Sequence, residues 1–319
     1  MPKLYRAHSR EKWGHLALVL QTLIMGPGYT FGKYAAMGMP AEVLTWLRMV
    51  VITAALGLFF LATGGHRKIP RTRRFFLSVL GLCLVGSIGN MYFFILGVRY
   101  TTPAQSSILY ALTPLCVLML SAWVLRAERF TGRKLLAALV ALLGVLIVMY
   151  PGMMQAGRGS DELKGNLLNL LSVACWSVFI VLSGRVFRAI HPLHSSALLW
   201  AAGLLCFSPI GLPALAHFDL ATVPRTAWYG FAYITLGNAG LSYLLIVYGM
   251  QLLRPSQVAV YLNVQPIAAA LYSILLGVEV VTTYLVVGGL LTIAGVYGLN
   301  RVSAHERRVH APPAVPLEG

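Results

Sequence analysis

Charge is what this sequence has least of. Only 11% of its 319 residues are Asp, Glu, Lys or Arg, and 58% are hydrophobic, whereas a soluble domain carries about 25% charged residues to cover its surface. A water-soluble globule is excluded, which leaves a chain built for a bilayer. Acids are scarcest. Glu11, Glu42, Glu128, Asp161, Glu162, Asp219, Glu279, Glu306 and Glu318 are the full set, and each falls in a tail, a loop or the end of an apolar run, as do the eight histidines. Proton-coupled pumps relay through buried Asp, Glu or His. The chain lacks the parts of such a relay, so facilitated diffusion or exchange, with export set by the substrate gradient, is the expectation. Cys83, Cys116, Cys175 and Cys206 sit in apolar runs without CxxC spacing and read as small packing residues; a disulfide or metal site would need two spans to bring a pair face to face. No Walker loop, zinc motif or nucleophile elbow occurs, so no ATP-driven pump, metal, cofactor or enzyme activity is expected.

What is present is apolar length. Runs of about 20 residues, long enough to cross a bilayer as helices, can be placed at 15–35, 41–62, 75–97, 103–125, 132–150, 165–187, 193–215, 227–249, 255–277 and 281–300. They lack the period-two alternation of a membrane barrel, and the expected fold is an all-α membrane protein with ten transmembrane helices. The net charge of +16 comes in short basic clusters between the runs, the pattern of positive-inside loops rather than of a nucleic-acid face. The expected partners are therefore the lipid bilayer and a small-molecule substrate, with no nucleic acid. Alternating the loops between two faces puts 19 Lys and Arg on one and 5 on the other, with Arg48 inside the second span. Both termini are expected in the cytoplasm, in a bacterial inner membrane. The basic start before the first run has the look of a signal peptide, but no small-x-small cleavage site follows cleanly, and a retained first helix is expected.

The runs also repeat. Shifting the sequence by 152 lays Gly97 on Gly249, Pro103 on Pro255, Gln105 on Gln257 and Pro114 on Pro266, and further back Gly32 on Gly184 and Pro40 on Pro192. With Pro at about 5% of residues, three prescribed proline matches are an accident of about one in 10⁴. The chain divides into a cytoplasmic N-tail 1–14, a first repeat 15–150, a periplasmic linker 151–164, a second repeat 165–301 and a C-tail 302–319 that reads as disordered. Five spans per repeat is an odd number, so the copies must lie inverted. Loop charge agrees: Arg126, Arg129, Arg133 and Lys134 surround Glu128, whereas the turn around Glu279 has no basic residue. Inverted repeats build secondary transporters, because exchanging the conformations of two mirrored halves switches a central site from one side to the other.

The stretches GPGYTFGK, PAEVLTWLR, LGVRYTTPAQSSILYALTP and RAERFTGRKLLAALVALLGVLIV in the first half are similar to a known pattern, as are GNLLNLLSVACWSVFIVLSGR, LNVQPIAAALYSILLGVE and LVVGGLLTIAGVYGL in the second. The sequence resembles the EamA-type members of the drug/metabolite transporter superfamily over nearly its whole length. One departure is Met25, Gly26 and Pro27, where family first helices often carry Trp-Gly. The resemblance implies ten helices, a central cavity lined mainly by spans 1, 3, 4, 6, 8 and 9, and export of amino acids or other small metabolites.

Polar side chains in hydrocarbon are costly and face the bundle interior or a cavity. Asn90, Asn238, Asn263 and Gln265 are the candidates for substrate contact; the plainer alternative for each is a hydrogen bond that glues helices together. Tyr29, Tyr110, Trp176 and Tyr261 would suit an amphipathic organic molecule, or serve as ordinary packing and interface residues. Lys33, Arg48 and Arg185 either gate or attract an anion, or snorkel to headgroups. Arg48, about seven residues and roughly 10 Å into its span, is the hardest to dismiss. Pro114 and Pro266 each free a carbonyl deep in a span, which makes them paired hinges or, alternatively, kinks packed against a neighbour, and Pro27 is expected to break span 1. Small residues from Ala137 to Gly144 and at Gly288, Gly289, Gly295 and Gly298 allow close helix approach, for a homodimer or for packing span 5 on span 10. Two other functions stay open: a transporter of phosphorylated or lipid-linked sugars, with Lys33 and Arg48 on the phosphate, and a non-transporting receptor or scaffold.

Overall fold

In hydrocarbon the backbone polar groups have no water to pair with and must be satisfied within the chain, which favours helices. The computed structural model describes residues 2–65, 69–70, 72–124, 131–155, 161–187, 190–253, 255–278 and 280–309, and these contain helices and turns but no strand. Helix α1 is Pro2–Gly38 and α2 is Ala41–Ala62. Helix α3 runs through Arg73–Leu82, Cys83–Asn90 and Met91–Tyr100. Helix α4 comprises Pro103–Tyr110 and Thr113–Val124. Then come α5 (Gly132–Gln155), α6 (Glu162–Val186) and α7 (Pro192–Ala216). Helix α8 runs through Arg225–Ala232, Tyr233–Ser242 and Tyr243–Leu252, followed by α9 (Pro255–Leu275) and α10 (Thr283–Val309). Among the described residues seven of these, α2 to α7 and α10, contain segments long and apolar enough to cross a membrane. The protein is a multi-pass membrane protein.

Local chemistry sets the ends. Thr102 caps α4 by accepting the Gln105 N–H at 3.2 Å, with Pro103 in the first turn where its missing N–H costs nothing. Gly277, at φ +66°, closes α9: the Val278 N–H reaches the Ser273 carbonyl at 2.9 Å and the Gly277 N–H that of Ile274 at 3.0 Å, the paired bonds of a Schellman end. Three helices overrun their expected limits by five residues or more. Helix α10 continues to Val309, so the stretch 302–309 expected to be disordered is helical; α5 reaches Gln155; and α1 begins at Pro2. Helix α1 also runs through Pro27 without the expected break. The loop residues Arg126, Glu128, Arg129, Arg254 and Glu279 and the tail 310–319 lie outside the described residues.

Packing follows the repeat. Helix α1 lies against α8 and α9, and α6 lies against α3 and α4; α2 pairs with α7, and α5 with α10. Adding or subtracting five from each helix number maps this set of contacts onto itself. The α5–α10 contact is close, because Gly144, Gly288 and Gly295 let one backbone rest on the other: a Cβ on Gly295 would stand 2.4 Å from the Ala141 nitrogen. These small residues are therefore used inside the chain. Leu136, Leu139, Leu143 and Leu146 point outward from α5 and are exposed, as a lipid-facing surface requires.

The four cysteines are free, and two of them do face each other: Cys83 Sγ of α3 and Cys206 Sγ of α7 are 4.0 Å apart. Small rotations about Cβ would bring them to bonding distance. Copper phenanthroline is expected to join them, a loss of two hydrogens readable by intact-mass spectrometry, and Cys206→Ser to prevent it. Failure to cross-link would mean that α3 and α7 do not pack as described.

Candidate functional site

The site is built where the α-helical ladder is interrupted. Cys83–Asn90 in α3 and Tyr233–Ser242 in α8 are π-helical, with i→i+5 bonds that widen the turn, a feature frequent at functional sites. Their last residues, Asn90 and Ser242, are related by the repeat offset of 152. The two wide turns thus stand at equivalent points of the two halves.

At the first, Asn90 closes a ring of hydrogen bonds between three helices. Its amide nitrogen donates to the Tyr110 hydroxyl at 2.8 Å and to the Ser172 carbonyl and hydroxyl at 3.1 and 3.0 Å; the Tyr110 and Ser172 hydroxyls are in contact; and the Ser172 hydroxyl donates back to the Asn90 carbonyl at 2.6 Å. Around Tyr110 stand Tyr29 and Phe94, with ring centroids 6.1 and 5.5 Å from it and 5.8 Å from each other, all edge to face. This geometry is favoured by the ring quadrupoles. One turn beyond Ser172 on α6, Trp176 stacks on Phe179 at 5.1 Å, and Gly86 of the α3 π-segment makes the room that Phe179 occupies.

At the second wide turn, Arg48 from α2 donates to the Ile234 carbonyl at 3.0 Å. This turn is linked to the first through α1, because Gly28, which Asn238 overlies, precedes Tyr29, whose ring meets that of Tyr110. Asn238 lies over Gly28: a Cβ on Gly28 would fall 1.8 Å from its amide nitrogen, so only glycine allows the approach. The buried Arg48 Nε, the hydroxyls of Thr45 and Thr235 and the Asn238 Oδ1 have no hydrogen-bond partner among the described residues. Among the described residues of this cluster there is no Asp, Glu or His; Glu42, the acid of α2, accepts from the Tyr92 hydroxyl at 2.6 Å.

Tyr29, Arg48, Asn90, Tyr110 and Asn238 are thus brought together, with Trp176 beside them. The other candidates stand elsewhere. Tyr261 meets His15 at 2.9 Å and Gln265 meets Gln21 at 3.2 Å, both across the α1–α9 contact. The Asn263 side chain lies outside the described residues. Lys33 donates to the Thr101 carbonyl at 2.5 Å, next to a separate polar group in which Gln105 donates to Glu162 at 2.7 Å, and Arg185 is exposed near the end of α6. Helix α4 is interrupted at Ala111 and Leu112, just before Pro114, and Thr113 Oγ1 takes up the Tyr110 carbonyl that Pro114 leaves free, at 2.7 Å. Helix α9 runs unbroken through Pro266.

The EamA-like transporter family pattern matches residues 12–150 and again 163–301. The chain belongs to the EamA-like transporter family. Its duplicated layout is the one the repeat requires. Among its relatives is an uncharacterized transporter, YyaM, of Bacillus subtilis, 23% identical over 284 residues, covering 88% of this chain and 91% of that protein. Another is a probable terminal-alkyne amino-acid exporter of Streptantibioticus cattleyicolor, 25% identical over 310 residues, covering 96% and 98%. A solved crystal structure shares the fold, with a TM-score of 0.59 at 18% identity over 92% of this chain and 98% of that one. As a member of this family the protein is a membrane transporter of the drug/metabolite class.

Proposed function

We propose that the protein is a secondary transporter that exports amino acids or similar small metabolites from a bacterial cytoplasm, rather than an enzyme or a scaffold. The observation that carries this reading is the site itself, a half-buried aromatic and polar cluster at two matched π-turns, with contributions from both repeats. All ten helices cross the inner membrane in this reading, with both termini cytoplasmic and the second five inverted relative to the first. Rocking of the halves about the π-turns would open the cluster to each side in turn, and the interruption before Pro114 gives α4 a place to bend; Pro266 is its counterpart in α9. The amino-acid class draws support from the Streptantibioticus relative, a probable terminal-alkyne amino-acid exporter, and from the cluster's mixture of rings, amide and guanidinium. The sugar-phosphate alternative loses ground because Lys33 is engaged with Thr101, away from Arg48.

The cluster holds no acid or histidine among its described residues, so transport is expected to run without a coupled proton. Proteoliposomes preloaded with amino-acid mixtures and a pH-sensitive dye test both points. Efflux with unchanged lumenal pH is the expected outcome. Proton movement stoichiometric with substrate would overturn the uncoupled mechanism, and absence of any flux would overturn the transporter reading for these substrates.

A further inference from the structure

We infer that Arg48, with Thr45 and Thr235, forms a subsite for a carboxylate, so that the transported molecule is a monoanionic or zwitterionic acid bound by that group. The inference rests on the transporter reading and narrows its substrate class. A guanidinium keeps its charge in any protein environment, and a charge inside a membrane protein normally pairs with a counter-charge or lines a pathway. Arg48 is 8% exposed, and its one described hydrogen bond goes to a neutral carbonyl, that of Ile234. Its Nε–H is buried without a partner among the described residues. That leaves a permanent cation with unspent donor capacity and no described carboxylate bonded to it.

The groups around it are of the right kind to complete an anion site. Thr45 lies three residues before Arg48, hence on the same face of α2, and Thr235 follows the residue that Arg48 holds. Both hydroxyls are buried and unpartnered, so each has a proton to give. A planar guanidinium matches the two oxygens of a carboxylate. One cation with two neutral hydroxyls balances a single negative charge, whereas a phosphate monoester carries about −1.5 to −2 at neutral pH. Asn238, four residues beyond Ile234 on the same π-segment, presents a buried unpartnered Oδ1, an acceptor suited to the ammonium of an amino acid.

The test uses full-length protein in nanodiscs. Thermal shift is measured with the proteinogenic amino acids and short-chain monocarboxylates, each paired with its primary amide, and with glucose 6-phosphate and inorganic phosphate. At least one acid is expected to raise the apparent Tm while its amide does not. Arg48→Gln is expected to weaken that acid by about 10- to 100-fold, since bonds to charged groups are the strong ones, and Arg48→Lys by less. Should Arg48→Gln fail to fold, Thr235→Val keeps the charge and removes one donor, with a loss of roughly tenfold or less expected for the acid and none for neutral ligands. Equal binding of acid and amide, indifference of the acid to both substitutions, or stabilisation by phosphates alone overturns the carboxylate subsite and leaves the transporter reading standing. If no compound binds and proteoliposomes show no flux of any of them, both fall.

Discussion

Gly144→Val is expected to cost about 3 kcal/mol or more of stability and to reduce the yield of folded protein sharply. Overpacking a core typically costs about 1–3 kcal/mol when side chains can move aside. Here they cannot. A Cβ on Gly144 would stand 2.4 Å from the Thr292 nitrogen and 2.5 Å from the Gly288 carbonyl oxygen, both backbone atoms of α10, so the helices themselves must separate. Between helices in lipid there is little hydrophobic force to offset that separation, and association depends on close packing. Gly57→Ala is the control. Nothing lies within 4 Å of a Cβ there, and replacing a mid-helix glycine by alanine contributes about 0.5–1 kcal/mol, so its Tm should hold or rise slightly. Thermal unfolding in detergent compares the two, and similar behaviour of both variants would mean that α5 and α10 do not meet as described.

That contact was half legible in the sequence. The runs of small residues in spans 5 and 10 announce a close approach, but one helix alone cannot say whether its partner is another helix of the same chain or of a second copy. Asn90, Tyr110, Tyr29 and Arg48 were legible for a similar reason. Each is conspicuous in hydrocarbon by itself, and costly groups tend to gather where they satisfy one another. Ser172, Thr45 and Thr235 were not, because hydroxyls in membrane helices commonly bond back to their own helix, as Ser177 does to the Val173 carbonyl at 2.8 Å, and their presence alone signals nothing. The π-turns left only a trace, the glycine pairs Gly86 and Gly89 in α3 and Gly237 and Gly240 in α8, since an inserted residue changes the turn without changing the apolar pattern. Tyr261 and Gln265 went to the α1–α9 contact because a helix aims successive side chains about 100° apart, and periodicity within a uniformly apolar run does not say which direction is inward.

Asn90→Leu is expected to abolish most transport, by tenfold or more, while lowering stability by only about 1–2 kcal/mol. The size and shape of the side chain are nearly kept, so α3 retains its packing. What disappears is the donor that tethers Tyr110 and Ser172, and with it the closed ring in which Asn90 donates to Tyr110 and Ser172 donates back to Asn90. Leaving those acceptors short of a partner carries the stability cost, which polar contacts in membrane proteins hold to the lower end. The functional cost is larger because Tyr110 is shared: its ring packs edge to face on both Tyr29 and Phe94. Freed from Asn90, it can take other rotamers, and the surface proposed to meet substrate is no longer held in one shape. Gln265→Leu supplies the comparison, since Gln265 bonds Gln21 across α1 and α9 away from the cluster; it should cost about 0.6 kcal/mol and leave efflux within about twofold of wild type. Efflux from proteoliposomes, measured on whichever amino acid the wild-type protein carries, separates the two positions. Full transport by Asn90→Leu, or an equal loss in Gln265→Leu, would move the substrate site away from the π-turn of α3.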